Sequence, residues 1–168
     1  MHDREALGRS RGGLTTKVHL AADQRCRPVS RVITAGQRHD SIAFDHVMAG
    51  IRIRRVSIGR PRTRPGHVLA DKAYSSRSIR GSLRRRGIRT TIPEPADQVA
   101  NRARRGTRGG RPPTFDADRY KNRNTAERCI NKLKQHRAIA ARYDKRAYIY
   151  QGTVDVASIR IWLRDPVT

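Results

Sequence analysis

His67-Val68-Leu69-Ala70-Asp71-Lys72-Ala73-Tyr74-Ser75-Ser76 opens the stretch that decides the fold. A short apolar run ending in an acid reads as a buried strand that delivers Asp71 at its C-terminal edge. Ser75-Ser76 then offers N-caps, Ile79 and Leu83 at i, i+4 give a basic helix one apolar face, and Gly87 closes it. Ile88 to Ile92 reads as the next strand, ended by Pro93. Strand, helix and strand with short connections predict a right-handed parallel crossover. Ligands of such sheets bind at the carboxyl ends of strands, which is where Asp71 is expected. The fold class is α/β.

Upstream, Leu14 to Ala22 alternates, with Thr16, Val18, Leu20 and Ala22 on one face and Thr15, Lys17 and His19 on the other. That period predicts a half-buried strand. Asp23-Gln24-Arg25 reads as a turn into a second strand, Pro28 to Thr34, making a hairpin. Asp40-Ser41 offers N-caps for a helix carrying Ile42, Phe44, Val47 and Met48, stopped by Gly50. Residues 1–13 read as a flexible basic leader, and 59–66 as a rigid basic loop bearing Arg60, Arg62 and Arg64. Residues 100–113 carry Arg102, Arg104, Arg105, Arg108 and Arg111 among glycines and prolines, which predicts a mobile, DNA-facing loop. A long helix is expected from about Asp118 to Ala138, buried through Ala126, Cys129, Ile130 and Leu133. A last helix is expected over roughly 148–163, packing through Tyr150, Val154, Ala157 and Ile161.

Length suits a single domain with a real core. Thirty-eight Lys and Arg against fourteen Asp and Glu leave a formal charge of +24. So large a self-repulsion points to a polyanionic partner, and arginine's planar fork suits phosphate. No apolar stretch approaches membrane-spanning length. Phe44, Phe115 and Trp162 are the only Phe and Trp, so stacking platforms for single-stranded RNA are poorly supplied. Cys26 and Cys129 stand far apart without a CxxC or Cys/His cluster, which argues against structural zinc and against a disulfide framework. Met1-His2-Asp3-Arg4-Glu5 carries no apolar h-region, so no secretory signal is predicted and the protein is read as cytosolic.

On the expected long helix, Tyr120, Arg123, Glu127 and Lys134 stand in the pattern Tyr-x2-Arg-x3-Glu-x6-Lys. At about 100° per residue they fall within a stripe of roughly 60°. A carboxylate flanked by cations and a phenol suits work beside a phosphate, the acid holding a divalent metal and the cations meeting the polyanion. The bland alternative is a solvated helix face, since such pairs at i, i+4 and i, i+7 are common. Asp71 and Glu127 are the acids whose settings stand out.

Val68-Leu69-Ala70-Asp71-Lys72-Ala73-Tyr74, taken with Tyr120, Arg123, Glu127 and Lys134, resembles bacterial insertion-sequence transposases of the DDE superfamily. The resemblance extends through the segment from Gly8 to Lys17, through Pro93-Glu94-Pro95-Ala96-Asp97 and through Arg142-Tyr143-Asp144-Lys145, nearly the whole chain. It implies a ribonuclease-H-like mixed sheet flanked by helices, forming part of a transposase catalytic domain over residues 1–168. It implies metal-dependent cleavage and strand transfer at the inverted-repeat ends of an insertion sequence. Asp71 would be the second catalytic carboxylate and Glu127 the third, both binding Mg2+ or Mn2+. Tyr120, Arg123 and Lys134 would support Glu127 or contact DNA phosphates. The implied partners are double-stranded DNA, at the inverted repeats and the target, and a homo-oligomer of the active enzyme. The implied setting is the bacterial cytoplasm at the nucleoid.

One departure from the family matters. Its first catalytic aspartate lies on the first strand of the sheet, upstream of the segment matching Gly8 to Lys17. The fold is therefore expected to lack its first strand here, with that carboxylate either supplied by an upstream reading frame or lost. Asp3, in a polar leader, and Asp23, in a hairpin turn, are unconvincing replacements. Two rival functions stay open: a catalytically inactive DNA-binding fragment, and a basic RNA-binding protein. Weaker signals read blandly. His19, His39 and His67 are ordinary surface or turn histidines, and Asp40 is a helix cap. The Gly-Arg-Pro triplets at 59–61 and 110–112 resemble the core of minor-groove-binding arms, with plain flexible basic loops as the blander and preferred alternative. Tyr74 lacks the Arg/His/Arg set that a tyrosine recombinase needs.

Overall fold

The alternating run at the start of the chain forms strand β2, Gly13–Ala22, and it pairs antiparallel with β3, Pro28–Ala35. In the computed structural model, which describes residues 5–10 and 13–164, the chain divides into two units. The first unit comprises residues 1–63 and 124–168, and the second residues 64–123. In the first, β2 is central, because β1 (Gly8–Ser10) adds to its other edge with Gly8 opposite Thr15. Part of the expected leader is therefore sheet, while residues 1–4 and 11–12 of it, Asp3 included, lie outside the described residues.

Both faces of the β2–β3 hairpin are covered. Paired residues of an antiparallel ladder share a face, so Val18 with Ile33 and Leu20 with Arg31 form one side. Helices α5 (Asn124–Lys134), α6 (Arg137–Ala141) and α7 (Ala147–Arg164) supply the core against it, with Leu133, Ile139, Tyr150, Val154, Ala157 and Ile161 all buried. Each such large side chain contributes about 1.5–3 kcal/mol through removal from water. On the same face Arg31 is paired with Asp155 of α7, and the buried Tyr150 hydroxyl donates to the Ile139 carbonyl at 3.0 Å. The opposite face takes α1 (Phe44–Ala49), onto which the Ser30 hydroxyl donates at the Val47 carbonyl, 2.7 Å. The hairpin turn closes as expected, Asp23 binding Arg27 while Arg27 stacks 4.1 Å from the Trp162 ring.

Two local expectations fail here. His39, not Asp40, caps the 3₁₀ turn Asp40–Ala43, its ring nitrogen accepting from the Ser41 N–H. The Asp40 carboxylate instead faces Lys17 at 2.8 Å and the His19 ring at 3.8 Å. A cation on the neighbouring strand outcompetes the local cap, since charge-assisted contacts are the stronger ones. His19 is correspondingly buried rather than a surface histidine.

The second unit contains the expected crossover. β4 (His67–Leu69) and β5 (Arg89–Thr91) run parallel, Leu69 opposite Thr91, joined by α2 (Arg77–Arg85). The Ser76 hydroxyl caps α2 by accepting from the Ile79 N–H at 3.1 Å, and Ile79 and Leu83 are its buried face. Gly87 ends it at φ +63°, a left-handed conformation that costs a residue with a Cβ. Ile88, Thr91 and Ile92 are buried beside it, whereas β4 is only half-buried. The strands thus form a three-stranded and a two-stranded sheet, a mixed α/β chain.

Candidate active site

Asp71 stands just past the end of β4, in extended backbone. Its carboxylate Oδ1 accepts the Ala73 N–H at 2.9 Å and so caps the 3₁₀ turn Lys72–Tyr74. The residue is half-buried. A strand end leading at once into a capped turn fixes the carboxylate by local backbone, independent of long side chains.

The turn after Asp71 is held by a polar network that is not legible in the sequence. Ser75, buried, receives an Arg80 N–H on its hydroxyl at 2.9 Å and donates that hydroxyl to Gln98 Oε1 at 3.1 Å. Gln98 returns an amide N–H to the Ser75 carbonyl at 2.8 Å, and Arg80 also donates to the Ile92 carbonyl at 2.7 Å. This ties the turn to α2, to the end of β5, and to α3 (Ala96–Arg104). Ser75 was legible only as a cap, and Gln98 gave no signal, because their partnership spans Pro93-Glu94-Pro95. At the other end of β4, the His67 ring meets the Thr91 hydroxyl at 2.9 Å and an Arg119 N–H at 3.3 Å. Burial, then the nearby Arg119 and Arg89, push His67 below the usual histidine value, against Asp116.

The Tyr/Arg/Glu/Lys stripe does not lie on one helix. The expected run from Asp118 to Ala138 breaks into α4 (Ala117–Lys121), α5 and α6. At the first break the Asn122 and Arg123 N–H groups turn back to the Arg119 and Tyr120 carbonyls, tightening the chain. Two asparagines flank Arg123, and asparagine is a poor helix former. The second break falls at His136, whose backbone is extended. Tyr120 and Arg123 remain together in the second unit, the guanidinium 5.7 Å over the Tyr120 ring, and the Phe115 ring lies 5.3 Å from the same ring. Glu127 and Lys134 belong to the first unit, both exposed on α5, with Cys129 and Leu133 on its buried face. Lys134 borders a groove of about 290 Å³ that Thr16, Lys17 and Tyr150 also line.

The arginine loops are corrected in part. Residues 100–104 are helical, as the end of α3, and a 3₁₀ turn succeeds them at Gly106–Gly109. Arg102 is committed to Glu94 through two parallel bonds, 2.5 and 2.6 Å, and its fork holds the Glu94 carboxyl below the usual range. A carboxylate presented by the preceding turn is what orders this stretch, which charge composition alone reads as mobile. Arg104, Arg105, Arg108 and Arg111 are exposed, as are Arg60, Arg62 and Arg64.

Oxygen donors such as Asp71 and Glu127 suit a hard divalent cation in kind. Among the described residues no group of three or more His, Cys, Asp or Glu could hold a metal ion by itself. Nor is any described helix long and apolar enough to cross a membrane.

A family model described as the transposase DDE domain matches residues 5–151. The chain is 30% identical over 151 residues to a putative transposase for insertion sequence element IS6501 from Brucella ovis, covering 90% of this chain and 100% of that protein. No solved structure matches. Matches of this extent show the family: the chain belongs to the DDE-domain transposases of insertion sequences.

Proposed function

We propose that this chain cuts DNA at the inverted-repeat ends of an insertion sequence and joins the freed strand to a target duplex. The observation that carries the reading is the setting of Asp71, a carboxylate fixed at the carboxyl edge of a parallel β–α–β unit, where such folds do their chemistry. Asp71 and Glu127 act as catalytic carboxylates within a ribonuclease-H-like domain. A divalent cation, magnesium or manganese, would add Lewis acidity at phosphorus, with Asp71 and Glu127 as two of its oxygen donors. Arg123 and Lys134 meet DNA phosphates, and Tyr120 holds the Arg123 guanidinium in place through its ring. The exposed arginines at 60, 62, 64, 104, 105, 108 and 111 supply sequence-independent affinity for the duplex. In the first step a water oxygen attacks phosphorus, the P–O3′ bond breaks and the departing oxygen takes up a proton to become the strand's terminal hydroxyl. In the second that hydroxyl loses its proton as it attacks a target phosphodiester, whose own P–O3′ bond breaks to release a protonated target oxygen.

One observation favours a second reading, a DNA-binding protein without cleavage, since the bond to Ala73 already gives Asp71 a structural use. Glu127→Gln and Asp71→Asn separate the two. Assayed on a duplex bearing the element's ends, each should abolish nicking and leave duplex affinity largely intact. Undiminished nicking by both variants would overturn the catalytic reading.

A further inference from the structure

Between α1 and β4 the chain forms an arm whose base is pinned and whose tip is bare. Ile53 and Arg62 exchange backbone hydrogen bonds, Ile53 N–H to the Arg62 carbonyl at 3.0 Å and the reverse at 2.8 Å. The arm between them reads Arg54-Arg55-Val56-Ser57-Ile58-Gly59-Arg60-Pro61. Gly59, at φ +148°, turns the tip, and Pro61 stiffens the return. Arg54, Arg55 and Arg60 are exposed. So are the two apolar residues at the tip, Val56 at 111% and Ile58 at 106%.

Scattered apolar side chains on a surface need no explanation. Two β-branched side chains at full exposure on one pinned tip, with arginines on either flank, are a different pattern. Proteins that open a groove pair basic residues on the phosphates with an apolar wedge slipped between base steps. The arm has no aromatic ring on which unpaired bases would stack, so it suits a duplex. A second copy of this chain is a poor occupant, since it brings the same +24 charge against the arginines.

We propose that Val56 and Ile58 form a wedge that enters a duplex groove and unstacks a base step, with Arg54, Arg55 and Arg60 seated on the flanking phosphates. This rests on the reading that the chain acts on duplex DNA. It adds how the duplex is deformed, which neither the carboxylates nor the basic loops address. Flexible pyrimidine–purine steps yield most easily and are the expected place of entry.

The test uses the full chain and a short duplex carrying aminopurine at a TA step, with donor and acceptor dyes at its ends. Binding by the intact chain should raise aminopurine emission and bring the dyes closer. Val56→Ser with Ile58→Ser should bind with an unchanged salt slope yet lose both signals. Arg54→Gln, Arg55→Gln and Arg60→Gln together should flatten the slope of log affinity against log salt by roughly 0.9 for each phosphate no longer neutralised. All these sites are exposed, so unchanged circular dichroism should confirm the fold. Persistence of both signals in the Val56/Ile58 variant overturns the wedge, as does binding without either signal by the intact chain. So does a change in sedimentation of the variant with its DNA signals intact, which would make the tip a protein contact. Absence of any duplex binding would instead overturn the DNA reading beneath the proposal.

Discussion

Asp71 caps the turn that follows it and, on the proposed function, also carries chemistry, and two substitutions separate the two roles. Asp71→Ala removes the acceptor for the Ala73 N–H, and losing such a cap costs about 1 kcal/mol. For a domain of this size that lowers the melting temperature by roughly 2–4 °C. Asp71→Asn keeps an oxygen in the same place, so its stability should stay within about 0.5 kcal/mol of the parent. Chemistry responds differently, because a carboxamide has no charge with which to hold a cation. If that charge stabilises the transition state by about 4 kcal/mol, either substitution slows nicking roughly a thousandfold. Urea unfolding followed by circular dichroism gives the first quantity, and single-turnover nicking of an inverted-repeat duplex gives the second. Refutation has two forms. An Asp71→Asn protein that nicks like its parent removes Asp71 from the chemistry, and one as unstable as Asp71→Ala shows that the cap was misjudged.

Because Arg102 is held by Glu94, replacing Arg102, Arg104, Arg105, Arg108 and Arg111 together should lower the salt slope of duplex binding by at most four phosphates' worth, roughly 3.6. Arg102→Ala alone should leave that slope unchanged; a drop of about 0.9 in that variant would contradict the pairing. His19 and His67 both have folded-state values depressed below 6.5, chiefly by burial, so the folded chain binds fewer protons than the unfolded one. Stability should be complete above about 6.5 and decline as pH falls below it, and His67→Gln should soften that decline in denaturant melts taken across the window. Burial pushes the Cys129 thiol up to about 12, with Cys26 and Asp23 adding to it against Lys132. Cys129 should therefore resist alkylation at mildly alkaline pH until the chain is unfolded, and rapid labelling under native conditions would show that α5 is not packed as described.

The β4–α2–β5 unit was readable because each of its signals is local. Val68, Leu69 and Ala70 form one apolar run within a few residues, Ser76 caps its own helix, and Gly87 needs no partner to turn left-handed. The hairpin of β2 and β3 was readable for the same reason, since its period is set by the pleat and its turn by Asp23. Periodicity failed between Lys121 and Asn124, where one stripe was expected along one helix. Apolar spacing survived there while the backbone tightened, and spacing carries no record of where a helix is interrupted.

Of the candidate site, Asp71 and Glu127 stand out in the chain as candidates, each by the residues beside it and by the resemblance. Arg102 looked like any other arginine of a basic run. Only folding brought Glu94 against it.

Sequence by itself determined the charge, the α/β succession and the transposase pattern, because composition and short-range period survive any arrangement of the chain. Tertiary structure alone decided which polar groups are occupied. Asp40 went to Lys17 and His19 rather than to a cap, Ser75 went to Arg80 and Gln98, and Val56 and Ile58 went to solvent. The physical reason is that hydrogen bonds, ion pairs and burial depend on distances between residues remote in the chain, and those distances exist only once the chain has folded.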